Sequence, residues 1–147
     1  MYHVFEMEES RKAGVNDLLM SQLDWFASFA AMTGVTLPEG VAPDSENHLD
    51  VWLGKSDKGR DFFVTQNIQN FLGITDGEWK FIPGNNGPSY NKQTNTELGN
   101  DPKDQLFKLD GDRGESVNVI DKNPEIAAKL KKELERIVDN RYLQNMN

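Results

Sequence analysis

The chain has 147 residues, no cysteine and a formal charge of -8 at pH 7. The excess of acid argues against non-specific binding to nucleic acid or anionic membrane, which both need surplus Lys and Arg. The missing cysteines exclude a disulfide framework, a thiolate metal site and a cysteine nucleophile. With 37% hydrophobic residues, the chain has the composition to fold, at a length that fits one domain of ~100–200 residues.

Residues 1–14 place Tyr2, Val4 and Phe5 ahead of a charged run and read as an N-terminal extension or partial strand. Acids stand there where a signal peptide needs a basic start and an apolar run. No stretch reaches the ~20 apolar residues of a membrane span. Asn16 or Asp17 can cap a helix over 17–33, in which Leu18, Leu19, Leu23, Phe26, Ala27 and Ala30 recur at helical spacing. Trp25 and Phe29 make its opposite side apolar too, as expected of a helix buried on more than one side. Gly34 ends it.

A polar loop over 35–50 leads to a short apolar turn, 49–53, closed by Gly54. The run DFFVTQ (61–66) has the content of a strand. Residues 71–75 and 78–82 flank Asp76-Gly77, a strong hairpin signal. In that hairpin Trp79 and Phe81 fall on one face, expected under the last helix against Leu130 and Leu134. Glu78, Lys80 and Ile82 fall on the other, with Lys80 outward. Residues 83–104 lack periodicity and read as a long loop, a length that is usually functional or disordered. QLFKL (105–109) is another strand. Asn123-Pro124-Glu125 opens a final helix with the apolar stripe Ile126, Leu130, Leu134, Ile137 and Val138.

The order predicts an α+β fold: a small antiparallel sheet of three to four strands packed against a C-terminal helix, with an additional buried N-terminal helix. The domain spans 15–143, with 144–147 as a frayed tail.

No nucleophile, phosphate-loop or zinc-helix motif is present. His48 lies beside Asp44, Glu46 and Asp50 in a polar loop, where no ligand spacing repeats, so it reads as a solvated loop rather than a metal site. The run DGDRGESVNVID (110–121) is superficially like a calcium loop, but Glu115 occupies the sixth position, which requires Gly. It reads as a turn and link. The residues alone give no catalytic constellation.

Five segments, in order, resemble the C-terminal part of an arylsulfatase-type sulfatase. They are MSQLDWFASFAAMTG (20–34), LPEGVAPDSENHLDVWLGK (37–55), GRDFFVTQ (59–66), GITDGEWKFIPG (73–84) and QLFKLDGDRGESVNVIDKNPEIAAKLKKEL (105–134). Together they cover roughly residues 12–140. Phe107 replaces the family's usual Tyr, and Arg113 stands where Pro is common.

The resemblance implies a sulfuric ester hydrolase whose formylglycine nucleophile and calcium ligands belong to a large N-terminal domain. This chain has no Cys and no Ser-x-Pro/Ala-x-Arg, so no catalytic or metal residue carries over and no cofactor is expected in it. What matches is the small subdomain that docks on the catalytic domain. The implied partner is therefore a sulfatase catalytic domain, in cis or in trans, or a second copy through helix 17–33. A sulfated carbohydrate is a further expected partner, lined by Gln66, Asn67, Asn85, Asn86 and Lys92. Family members are usually periplasmic, secreted or lysosomal; the compartment of this chain stays open. The other functional readings are a stand-alone sulfated-glycan binding module and an interaction domain derived from the same fold.

Overall fold

The computed structural model describes residues 15–144. The expected extension over 1–14 and the last three residues lie outside that range. The described residues group into two compact units that divide after Phe63.

The first unit contains α1 (Asp24–Met32) and α2 (Leu49–Trp52). α1 starts seven residues later than expected, because side chains capture the preceding backbone. Asn16 Oδ1 accepts the Leu18 N–H at 2.9 Å, and Asp24 Oδ2 accepts the Ser21 N–H at 2.9 Å. Such local side-chain bonds compete with the helical ladder. Both helices end in the same way. Val35 donates to the Ala30 carbonyl and Gly34 to Ala31, while Lys55 donates to Asp50 and Gly54 to Val51. Gly34 and Gly54 sit at φ +73° and +70°, the left-handed position of a Schellman cap.

α1 is inverted relative to expectation. Its buried residues are Asp24 and Ser28. Trp25, Phe26, Phe29 and Met32 are 39–53% exposed. Among the described residues of this unit, the buried side chains other than Val51 and Trp52 are polar: Ser21, Asp24, Ser28 and His48. The edge of the Phe29 ring meets Trp52 with centroids 5.4 Å apart.

The second unit is built on a four-stranded sheet in the order β1-β2-β3-β6, where β1 is Phe63–Gln66, β2 Leu72–Thr75, β3 Trp79–Ile82 and β6 Gln105–Lys108. The β2–β3 register pairs Ile74 with Phe81 and Thr75 with Lys80. The central pair of the turn is therefore Gly77-Glu78, one residue later than Asp76-Gly77. Gly77 takes φ +94° at the first central position, the place where two-residue hairpin turns favour Gly. Asp76 supports the turn from outside, its carboxylate accepting the Glu78 and Trp79 N–H groups at 3.2 and 2.9 Å.

One sheet face carries Ile74, Phe81 and Leu106, each at most 1% exposed. α3 (Pro124–Gln144) packs on β2 and β3 and buries Ala127, Leu130 and Leu134. Phe81 is the fully buried member of the Trp79/Phe81 pair; Trp79 is half-buried, with the Lys108 ammonium 5.6 Å from its ring centroid. Lys80 does not run free into solvent: it meets both Glu115 carboxylate oxygens at 2.7 Å. The outer edge of β6 is covered, since Leu106 donates to Asn118 Oδ1 and accepts from the Val119 N–H, which removes an open strand edge. The 110–117 link folds on Asp112, whose carboxylate accepts from the Ser116 and Val117 N–H groups and the Ser116 hydroxyl.

The expected long loop holds a second, two-stranded sheet of β4 (Tyr90–Asn91) and β5 (Thr96–Glu97). Strands of two residues give no alternation to read. The C-terminal helix opens with the Asn123 carbonyl accepting from Ala127, while the Asn123 side-chain amide donates back to the Val119 carbonyl at 3.0 Å. Among the described residues no helix is long and apolar enough to cross a membrane.

Leu130 is 0% exposed, so Leu130→Ala should remove about 2–5 kcal/mol of stability. Urea denaturation should show a lower midpoint at an unchanged slope.

Candidate functional site

The antiparallel order brings the 67–71 turn, the exit of β3 and the entry to β6 to one end of the sheet. The first turn is tied by Asn67. Its Oδ1 accepts from the Gln69 and Phe71 N–H groups at 2.9 and 3.0 Å, and its own N–H donates to the Phe71 carbonyl at 2.9 Å. Asn70 completes the turn at φ +67°. Ile68 is left 94% exposed at the tip.

The second loop leaves β3 at Pro83 and is laced to the segment before β6. Gly84 donates to Asp104 Oδ1, Asn85 donates to the Asp101 carbonyl, and Leu98 donates to the Ser89 carbonyl, all at 2.8–2.9 Å. The Gly84 N–H bond is the main reason the Asp104 carboxyl is held below its usual value, with Lys131 at 3.0 Å adding to it. Gly84 allows this approach, since a Cβ there would lie 2.5 Å from the Pro102 carbonyl oxygen.

Asn100 joins the two loops. It is 6% exposed. Its amide donates to Gln69 Oε1 at 2.7 Å and to the Pro88 carbonyl at 2.8 Å, and its oxygen lies 3.4 Å from the Asn67 amide. Gly87 sits against this junction, where a Cβ would meet Phe71 Cε2 at 2.6 Å and Asn100 Nδ2 at 2.7 Å.

The five residues expected from sequence divide accordingly. Asn67 and Asn85 belong to the braced junction. Asn85 Oδ1 accepts from Gly87 at 3.0 Å, and its buried amide nitrogen has no acceptor among the described residues. Gln66 and Asn86 are exposed beside it, Gln66 donating to Asn70 Oδ1 at 3.3 Å. Lys92 lies instead in the exposed turn between β4 and β5. Sequence reasoning missed Asn100 and Gln69. Their partners are 31 and 33 residues away, so no local pattern marks them.

A second polar cluster fills the first unit. Arg60 forms a fork onto both Asp24 carboxylate oxygens, and also reaches Glu46 Oε1 at 3.0 Å and the Asp44 carbonyl at 2.5 Å. His48, expected in a solvated loop, is 6% exposed; its N–H donates to Ser28 Oγ at 2.9 Å, and Nε2 lies 3.7 and 3.6 Å from Asp24 and Glu46. Burial pushes the Asp24 carboxyl up, but Arg60 and the Glu46 and Ser21 N–H groups outweigh it and hold it below its ordinary value. These carboxylates are committed to a guanidinium, so they do not fit a calcium ion. Among the described residues, no group of three or more His, Asp or Glu side chains is arranged to hold a metal.

No protein-family model matches the chain. It is 41% identical over 126 residues to the N-acetylgalactosamine-6-O-sulfatase of Bacteroides thetaiotaomicron, covering 86% of this chain and 25% of that protein. A solved 6S-sulf protein, from the core genetic locus with which Bacteroides thetaiotaomicron metabolises multiple glycosaminoglycans, superposes with a TM-score of 0.76 at 42% identity. That match covers 82% of this chain and 25% of the other.

The chain has the sequence and fold of a sulfatase C-terminal subdomain. It spans about a quarter of the length of the relatives it matches. A more distant structure, Ps i-CgsB, superposes with a TM-score of 0.58 at 20% identity, over 81% of this chain and 24% of that one. At that distance only the fold is shared.

Two outcomes follow. Gly87→Ala forces a Cβ into the Phe71–Asn100 contact and should cost about 1–3 kcal/mol, read from urea midpoints. The Asp24 carboxyl titrates lower in the folded chain than in the unfolded one, so its contribution is full above about pH 4 and is lost as pH falls through the folded value. Urea midpoints should therefore fall with acid below about pH 4, and Asp24→Asn should flatten that dependence.

Proposed function

We propose that the chain works as the C-terminal part of a sulfatase that removes 6-O-sulfate from N-acetylgalactosamine units of sulfated glycans. The observation that carries this reading is the 41% identity to an N-acetylgalactosamine-6-O-sulfatase across 126 residues. Catalysis falls to the larger part of the protein, where a formylglycine and calcium would supply the nucleophile and the sulfate-side charge. The chain's own donors do not fit either group: it has no cysteine, and its buried carboxylate is occupied by Arg60. Its task is to dock on the catalytic domain and to present Gln66, Asn67, Asn85 and Asn86 to the sugar. Lys92, on the small hairpin, would act at the margin of such a surface.

Docking is assigned to the outward side of α1. Leu23, Trp25, Phe26, Phe29, Met32 and Val35 are exposed there, and residues 25–32 carry no charge. A cluster of exposed apolar side chains along one short segment fits an interaction site.

The isolated chain should release no sulfate from an N-acetylgalactosamine 6-sulfate saccharide. The same chain, replacing the matched quarter of the Bacteroides enzyme, should give an active fusion. Turnover by the isolated chain would contradict the division of labour, and tight binding of sulfated glycans by it would favour a stand-alone module. Phe26→Glu with Met32→Glu should change the isolated chain by no more than about 0.5 kcal/mol, as exposed positions do. In the fusion the same pair should lower the melting temperature and the activity together.

A further inference from the structure

We propose that Asn100 is a positioning residue that locks the 66–71 and 83–88 loops into one preformed substrate wall. The inference rests on the sulfatase reading above and names how that site is held. The two loops leave the sheet from different strands, so chain connectivity alone does not fix one against the other. Asn100 does so from a third segment, with its side chain almost wholly removed from solvent. The donor bonds of its amide are short, 2.7 Å to Gln69 on the first loop and 2.8 Å to the Pro88 carbonyl on the second. The absence of a Cβ at Gly87 lets the amide approach that closely.

The arrangement has a definite polarity. Both groups facing the Asn100 amide nitrogen are acceptors. Asp at this position has the same shape but sets a carboxylate oxygen against the Pro88 carbonyl, and Gln69 keeps a bond only by turning its amide over to donate. Loss of a buried partner costs more than the bond itself is worth, because the stranded groups stay desolvated. At the same junction the buried Asn85 amide nitrogen has no acceptor among the described residues. Loops braced before a ligand arrives bind it without the cost of ordering them.

The test compares Asn100→Asp with the unaltered residue in the active fusion, using an N-acetylgalactosamine 6-sulfate saccharide. KM should rise at least tenfold while kcat stays within about twofold, because the wall binds the sugar and the reacting groups lie elsewhere. Hydrogen exchange of the isolated chain should quicken at least tenfold at Gln69, Phe71 and Gly87, and stay unchanged at Phe81 and Leu106. Faster loop exchange with an unchanged KM would overturn the proposal while leaving the sulfatase reading standing. Unchanged exchange would overturn the brace itself. An inactive fusion with Asn100 intact would instead sink the sulfatase reading and the proposal with it. If Asn100→Asp does not fold, Gln69→Met removes one acceptor only and should raise KM by a smaller factor; no rise would count against the proposal equally.

Discussion

The candidate site depends on the register of the β2–β3–β6 ladder. Pairing of Ile74 with Phe81, and of Phe81 with Leu106, does two things at once. It turns the three apolar side chains to one face under α3, and it brings the 67–71 turn, the β3 exit and the β6 entry to the same end of the sheet. A slip of one residue would reverse every side chain and misplace both loops. The tight turn at Gly77-Glu78 fixes that register. Asp76 adds to it by holding two N–H groups of the turn.

The two units solve burial differently. The second uses an ordinary apolar layer between sheet and helix. The first places an Arg60–Asp24 ion pair and two serines at its centre and turns much of its apolar surface outward. A paired buried charge is not efficient stabilisation, although removing one partner is costly. The arrangement makes sense if the outward side of α1 is meant to be covered. The same cluster also sets loop positions, since Asp24 binds the Glu46 N–H and Ser28 binds the His48 N–H.

Much of the second unit was legible from local pattern. Strands 105–109 and 78–82 were visible from alternation and the adjacent Gly, and the last helix from its Pro124 start and its Leu130/Leu134 stripe. The start of α1 was not legible, because Asn16 and Asp24 redirect backbone bonds that a hydropathy pattern assigns to a helix. His48 looked solvated because its carboxylate neighbours in sequence gave no hint that Ser28 and Asp24, more than twenty positions away in part, enclose it. The candidate residues were legible only in part. Polar loops can be marked as such from composition, but Asn100 bonds side chains 31 and 33 residues distant, and that pairing exists only in the fold. Lys92 looked continuous with Asn85 and Asn86 because the short β4–β5 hairpin that carries it has no readable period.

On the proposed reading, the chain contributes a preformed sugar-facing wall to a sulfatase whose chemistry lies in another part of the protein. The most direct measurement is a crystal structure of the fusion with an N-acetylgalactosamine 6-sulfate ligand bound. A ligand oxygen should lie within about 2.7–3.2 Å of a side-chain polar atom on the 66–71 or 83–88 loop, with Asn100 still bonded to Gln69. A ligand bound productively without contact to either loop would contradict it.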